Sequence, residues 1–470
     1  MRRVPTPGIV RERNFTRSLV AAALAVYALL VAGATVAIGD AAASCTRWPL
    51  CSGPLFGVGN AVSDPALAVV LGHRALAALG AALVLLVAVA AHRRSEPRRV
   101  RAALWAALAL YPLQMGLGAM SATADVPPAL AALHLLAGTA IFAALVVGLA
   151  WSLEHRTATL PSHESEGEAK SAPDPDGEAP TIDGPLALAK AYVRLTKPRL
   201  MWLLCLVASA GMALAAGPAL SIRTVALTLS GGVLAIGASG TFNHVIEREK
   251  DKRMARTADR PLPNHAIPRR NAFAFGVVLA AASVAVFWQV NALAAALGFA
   301  AILFYSVVYT VILKPNTVQN TVIGGAAGAL PALIGWAAVT GKIGLPGLAL
   351  AGVIFLWTPA HFYNLALAYK DDYAAGGFPM LPVVRGEAVT RKHILYYLGA
   401  TLVGATALAA LTELGVIYGL TSVALGGVFL WMAVRLHRER TRGAAMRAFH
   451  ASNAYLGCLL VAVVVDTVAL

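Results

Sequence analysis

The chain has 470 residues, of which 58% are hydrophobic and 13% charged, with a formal net charge of +15. Soluble domains carry roughly 25% charged residues, so the composition excludes a soluble globular protein and implies one that crosses a membrane repeatedly. The basic excess does not mark a nucleic-acid partner: Lys and Arg gather in short loops between apolar runs, where they set orientation in the bilayer.

Apolar runs of about 17–25 residues read as spans. They fall near 18–39, 66–91, 102–121 and 129–151, then near 200–217, 223–242, 272–288, 293–313, 321–340, 344–363, 394–411, 416–435 and 447–469. The expected fold class is an all-α polytopic membrane protein, four helices followed by nine. The basic clusters at 2–17, 93–101, 248–270, 385–392 and 435–442 then all lie on one side. By the positive-inside rule the N-terminus is cytoplasmic and the C-terminus outside. The first run lacks a convincing cleavage site and reads as a retained span.

The first four spans form a unit over 1–156. Cys45 and Cys51 share an outside loop, where an oxidising compartment permits a disulfide; two free thiols are the alternative. His73 and His134 lie about seven and five residues from the outer ends of their helices, so their depths differ by only a few ångströms at about 1.5 Å per residue. Two His at one depth on different helices match the axial positions of a haem iron. Two imidazoles satisfied by interhelical hydrogen bonds are the other reading. Residues 157–185 carry seven acids and one Lys with almost no large apolar side chains. Such a stretch buries too little surface to fold and reads as a cytoplasmic linker.

The second unit, 186–470, holds the strongest chemical signal. Asn243, Glu247 and Asp251 recur every four residues, which on a helix sets three oxygen-bearing side chains on one face. Oxygen ligands suit Mg²⁺, usually held by one or two carboxylates together with substrate phosphates. Arg253, Arg256 and Arg260 follow at once, and guanidinium forks match phosphate oxygens. A second polar cluster runs from His361 through Lys370, Asp371, Asp372 and Tyr373 to Pro382. Both clusters end helices that run from outside to inside, so they face one compartment. Together they read as a Mg²⁺–diphosphate site at the cytoplasmic mouth of a bundle.

At these residues the chain resembles the UbiA superfamily of prenyltransferases, in particular its protohaem IX farnesyltransferases. The likeness runs from about 190 to the C-terminus. It includes Leu195-Thr-Lys197-Pro-Arg199, the Asn243–Pro263 motif with Arg256 and Arg260, the run Pro315–Pro331, and Asp371-Asp372-Tyr373 to Gly386. The resemblance implies a UbiA-type nine-helix bundle. It implies metal ligands at Asn243, Glu247, Glu249, Asp251 and Asp372, and diphosphate contacts from Lys197, Arg256, Arg260 and Lys370, with Asp371 at the same mouth. His361 and Tyr373 become haem-side or proton-handling groups. Glu247 and Glu249 stand where relatives often carry Asp, and Ala374 and Ala375 follow the Asp pair instead of completing a DxxxD pattern.

The implied reaction joins a farnesyl group from farnesyl diphosphate to a vinyl of protohaem IX, giving haem O for cytochrome oxidase cofactor synthesis in the cell membrane. Besides the surrounding membrane lipid, the implied partners are a haem A synthase or terminal oxidase assembly factors. Residues 15–155 resemble one half of haem A synthase, in which His73 and His134 correspond to haem ligands and Cys45–Cys51 to the outer loop. That family tends to carry a Glu shortly before the first His; here Val70, Leu71 and Gly72 precede it. The implication is haem binding or hand-over without conversion of haem O to haem A. The rival functions are prenylation of an aromatic quinone precursor and a non-catalytic haem-binding module.

Overall fold

The computed structural model describes residues 7–36, 41, 45, 48, 51, 64–123, 128–158 and 184–468. Most of the 157–185 stretch lies outside the described residues. Among the described residues all regular structure is helical, and 13 helices are long and apolar enough to cross a membrane. The chain packs as two compact units. One combines Met1–Pro161 with Leu395–Arg438; the other combines Ser162–Ile394 with Glu439–Leu470. Packing therefore divides the C-terminal region differently from the acidic stretch in the sequence.

The first unit contains α1 (Pro7–Val36), α2 (Pro65–Arg93), α3 (Arg98–Thr123) and α4 (Pro128–Ala158). It also takes most of α15 (Glu387–Leu411) and α16 (Val416–Glu439). Asp64 caps α2: its Oδ1 accepts from the amides of Ala66 at 3.0 Å and Leu67 at 3.2 Å, which satisfies donors that have no partner within the helix. Tyr27 of α1 packs 5.5 Å from Phe142 of α4, and its hydroxyl meets Ser422 Oγ of α16 at 2.5 Å. Small residues let these helices approach; a Cβ on Gly419 would sit 3.2 Å from Val31. At the other end, the buried Glu96 carboxylate pairs with Arg156 at 2.5 Å and Arg94 at 3.6 Å. Both guanidinium groups also lie over the Phe15 ring. Removing either partner would leave an expensive buried charge.

The second unit runs through α5 (Pro185–Leu195), α6 (Pro198–Ala216), α7 (Ile222–Asp251) and α8 (Arg269–Trp288). Next come α9 (Ala292–Leu303), a π-helical continuation over Phe304–Leu313, and α10 (Lys314–Asn316). α11 (Asn320–Thr340), α12 (Leu345–Ala368), α13 (Lys370–Ala375) and α14 (Leu381–Val384) follow, and α17 (Arg442–Val468) closes the unit. α6 and α11 touch through backbone: a Cβ on Gly335 would lie 2.1 Å from the Ala208 carbonyl oxygen. In lipid, where the hydrophobic effect does not drive helices together, such close dispersion contact does much of the holding.

Candidate functional site

The site is built at the C-terminal end of α7. Asn243, Glu247 and Asp251 share one face and are all buried, at 2%, 3% and 0% exposure. Each meets one basic side chain. Lys197 donates its ammonium to Asn243 Oδ1. Lys314 donates to both Glu247 oxygens at 2.5 and 2.7 Å. Arg260 donates to both Asp251 oxygens at 3.0 and 2.8 Å. Buried carboxylates are tolerated when paired and hydrogen-bonded in this way.

Three pieces of local structure place these cations. Lys197 adopts a left-handed backbone at φ 54, a conformation that costs a non-glycine residue about 1–2 kcal/mol. It sits where the α5–α6 turn crosses α7 at Gly240, whose absent Cβ would fall 3.0 Å from the Leu195 carbonyl. The π-helical stretch, with its wider turn, carries Tyr305 and Thr310 five residues apart on one side, a geometry common at functional sites. Tyr305 receives a 3.4 Å contact from Lys197, and Thr310 Oγ1 accepts from Asn243 Nδ2 at 3.2 Å. Lys314 follows one turn later. The loop after α7 then folds back so that Thr257 Oγ1 donates to the Asp251 carbonyl at 2.9 Å and Arg260 reaches the carboxylate.

Burial pulls the Lys197 ammonium down to about 7; Arg260 and Lys314 push the same way, while Glu247 and Asp251 oppose them. An anion entering beside it would raise it again. Burial also works against the Arg256 guanidinium, but Tyr373 and Asp372 outweigh it and hold that group above its ordinary value. His244, next to Asn243, points Nδ1 to within 3.9 Å of Asp251 Oδ2 and finds no hydrogen-bond partner there.

The second sequence cluster joins only in part. Asp372 Oδ1 accepts from the Ala255 amide at 3.2 Å, tying α13 to the loop after α7. Arg256 lies over Tyr369 at 4.6 Å and over the buried Tyr373 at 5.1 Å. Other expected residues go elsewhere. Glu249 is 68% exposed and pairs with Lys252 and Arg248, because a residue two positions along a helix from Glu247 points to a different face. Lys370 pairs with Glu387 at 3.2 Å, and Asp371 is exposed. His361 is a packed core residue: its ring stacks between Trp357 and Phe449 at 4.2 and 4.3 Å, and Nδ1 meets Ser452 Oγ at 2.7 Å. Tyr305, Thr310 and Lys314 are site residues that the sequence reading missed. A lone Lys ending an apolar run looks like an ordinary interfacial anchor, although its place directly before Pro315 was a usable signal.

An apolar cavity of about 90 Å³ opens beside this site, with Lys197 and Tyr305 at its polar end. The walls are almost entirely hydrocarbon, from α6, α7, α8, α9 and α11. Among the described residues no three His, Cys, Asp or Glu converge to cage a metal by themselves. The donor set of Asn243, Glu247 and Asp251 nevertheless fits a hard cation shared with substrate phosphates, the usual arrangement for Mg²⁺.

In the first unit the structure joins Cys45 and Cys51 in a disulfide, with Cα atoms 5.3 Å apart. Arg74, beside His73, donates to Cys45 Sγ at 3.1 Å and to the Cys45 carbonyl at 3.3 Å. His134 Nε2 lies 3.4 Å from Gln114, and the Nδ1 atoms of both His73 and His134 are buried without a hydrogen-bond partner. Glycines face both rings: a Cβ on Gly33 would stand 3.5 Å from His73 and one on Gly118 3.0 Å from His134. Orphaned imidazole nitrogens fit a metal-centred ligand, since a buried polar atom left unmade costs about 1–3 kcal/mol.

Comparison with known proteins gives matches over both units. Residues 203–457 match the UbiA prenyltransferase family, and residues 2–146 match a family described as cytochrome oxidase assembly protein. The chain is 61% identical to the protoheme IX farnesyltransferase of Halobacterium salinarum over 97% of its length and 98% of that protein's. It is 59% identical to the enzyme of the same name from Haloarcula marismortui, over 98% of this chain and 100% of that one. A solved structure from work on digeranylgeranylglyceryl phosphate synthase superposes with a TM-score of 0.51 at 16% identity. It covers 60% of this chain and 99% of that one, which is a likeness of fold.

Proposed function

We infer the activity from the premise that the chain belongs to the UbiA prenyltransferase family. It transfers a farnesyl group from farnesyl diphosphate to a vinyl group of protohaem IX, giving haem O for cytochrome oxidase cofactor synthesis. The C–O bond to diphosphate breaks, a C–C bond to the vinyl carbon forms, and water supplies the hydroxyl. The observation that carries this reading is the three-residue face of α7, each member held by its own cation, at the polar end of an apolar cavity.

The residues divide the work by chemistry. Asn243, Glu247, Asp251 and Asp372 are the residues whose side-chain oxygens would hold Mg²⁺ together with the diphosphate, and the ion when bound would offset negative charge on the leaving group. Lys197, Lys314, Arg256 and Arg260 supply donors to the diphosphate oxygens, exchanging protein carboxylates for the substrate. The apolar cavity holds the isoprenoid and keeps water from the allylic cation. The 243–260 loop faces the cytoplasm, the N-terminus lies on the same side and the C-terminus outside, following the basic loops.

His73 and His134 would hold haem in the first unit, a reading supported by their unpartnered Nδ1 atoms and by the match to an oxidase assembly family. That unit passes the product toward a haem A synthase or oxidase assembly factors. Purified protein offered radiolabelled farnesyl diphosphate with either protohaem or 4-hydroxybenzoate tests the reaction. Label in protohaem supports the reading. Label in the benzoate alone supports a quinone-precursor enzyme, and label in neither supports a non-catalytic haem module.

A further inference from the structure

A second hollow, of about 760 Å³, lies between α7, α8, α9 and the π-helical stretch and shares no lining residue with the cavity beside Lys197. Its size falls in the roughly 300–1,000 Å³ range of sites for small molecules. Its walls are mainly hydrocarbon, and Ile246, Phe273, Leu303 and Val307 are exposed along it, so it is a groove open on its apolar side.

Two features distinguish this groove from plain lipid-facing surface. One is its charged end. Arg269 and Arg270, the first two residues of α8, line it and are exposed. Among the described residues no carboxylate pairs with either. Pro268 is the N-cap and supplies no side-chain acceptor, and the first turn of α8 holds no acid. Uncapped amides at the start of a helix already favour an anion, and two guanidinium groups at the same place add to that preference. The other feature is Ser306, which lines the groove at 5% exposure, its Oγ buried with no hydrogen-bond partner. A hydroxyl inside an apolar helix commonly donates to a carbonyl about one turn back. Thr241 does so to Gly237 at 2.8 Å, and Thr310 to Tyr305 at 2.8 Å. Ser306 does not.

The chain fixes the order of these groups. Phe242 of α7 packs 5.6 Å from Phe273 of α8, and Asn243 beside it bonds Thr310. The arginines lie about one turn from Phe273 toward the loop after α7, and Ser306 about one turn from Thr310 in the opposite direction. They are therefore on the order of 10 Å apart along the bundle. In a phospholipid, six bonds separate phosphorus from an ester carbonyl oxygen. At about 1.2 Å of advance per bond that is about 7 Å, and a hydrogen bond of about 3 Å at each end spans the rest.

We propose that this groove is a binding site for one anionic phospholipid. Its phosphate sits on Arg269, Arg270 and the first amides of α8, an ester oxygen accepts from Ser306, and an acyl chain lies along Phe242, Leu303 and Val307. A zwitterionic headgroup would bring its own cation against the two arginines, so the charge selects an anionic one. The site goes beyond the transfer reaction and uses none of its residues.

The purified full-length protein in neutral detergent is titrated with phosphatidylglycerol or phosphatidylcholine of the same acyl chains, and bound lipid is counted by native mass spectrometry. One phosphatidylglycerol should bind about tenfold or more tightly than phosphatidylcholine, the scale set by two cations near a headgroup. A variant carrying Arg269→Gln and Arg270→Gln should lose that preference. Ser306→Ala should weaken binding about threefold, the scale of one hydrogen bond. Arg385→Gln, at an exposed arginine outside the groove, should stay within about twofold of wild type. Equal affinity for the two lipids overturns the proposal, as does an equal loss in Arg385→Gln, which would mean diffuse attraction to the basic loops. An unaffected Ser306→Ala overturns it too. One-for-one displacement of the bound lipid by farnesyl diphosphate would make the groove a site for the prenyl donor, and would likewise overturn it.

Discussion

The polar groups at the end of α7 and the two His of the first unit are both buried, yet they stand in opposite states. Around α7 every carboxylate already has a cation: Glu247 has Lys314, and Asp251 has Arg260. Around His73 and His134, ring nitrogens are left without partners. The first arrangement stores its ligand's charges internally, so substrate must exchange partners on entry. The second leaves the Nδ1 atom of each ring free. A site for a transient, doubly charged reactant needs to survive empty between turnovers, because an isolated buried charge is costly. A site for a tightly held prosthetic group can rely on that group to satisfy it.

The largest effect that would break this comparison is at Asp251. Asp251→Ala should lower haem O formation by about 10²–10³-fold, the range for removing a group that stabilises developing charge. The protein should remain in the membrane fraction, and turnover kept near wild type would remove Asp251 from the site.

Lys314 sharpens the contrast. Lys314→Met should destabilise the protein by about 3–5 kcal/mol, since Glu247 is then buried without its partner. Adding Glu247→Gln should recover most of the thermal stability in detergent without recovering turnover. A double variant no more stable than the single one would mean the pair does not hold α7 to α10.

For the first unit, the purified full-length protein should show a six-coordinate low-spin haem spectrum. His73→Ala and His134→Ala should each perturb it, while prenyl transfer stays within about twofold, the range in which a variant has lost no transition-state contact. A protein that takes up no added haem would make the two imidazoles ordinary buried residues. The smallest effect belongs to Glu249. Its exposed pairs are worth about 0–1 kcal/mol, so Glu249→Gln should change neither thermal stability nor turnover measurably. A large loss of Mg²⁺-dependent activity would return Glu249 to the metal set.

The positions of the spans and the shared face of Asn243, Glu247 and Asp251 were legible in the sequence because both follow from local periodicity. Long apolar runs have no stable alternative to helix in lipid, and a four-residue spacing sets Asn243, Glu247 and Asp251 on one face wherever the helix lies. The same rule turns Glu249 away from that face, and the structure shows it exposed and paired with Lys252 and Arg248. His361 illustrates the opposite limit. Its stacking between Trp357 and Phe449 depends on α17, some ninety residues later, and no local pattern announces a partner at that distance.

The sequence by itself determined that this is a multi-span helical protein with a carboxylate face followed by arginines, because hydrophobic length and helical spacing are properties of neighbours along the chain. Only the tertiary structure decided which cation answers each acid, that Lys314 is the partner of Glu247, that Leu395–Arg438 packs with the first unit, and that Phe287 lines the cavity. Each of those depends on where glycines let helices touch, and that is settled by contacts between residues far apart in the chain.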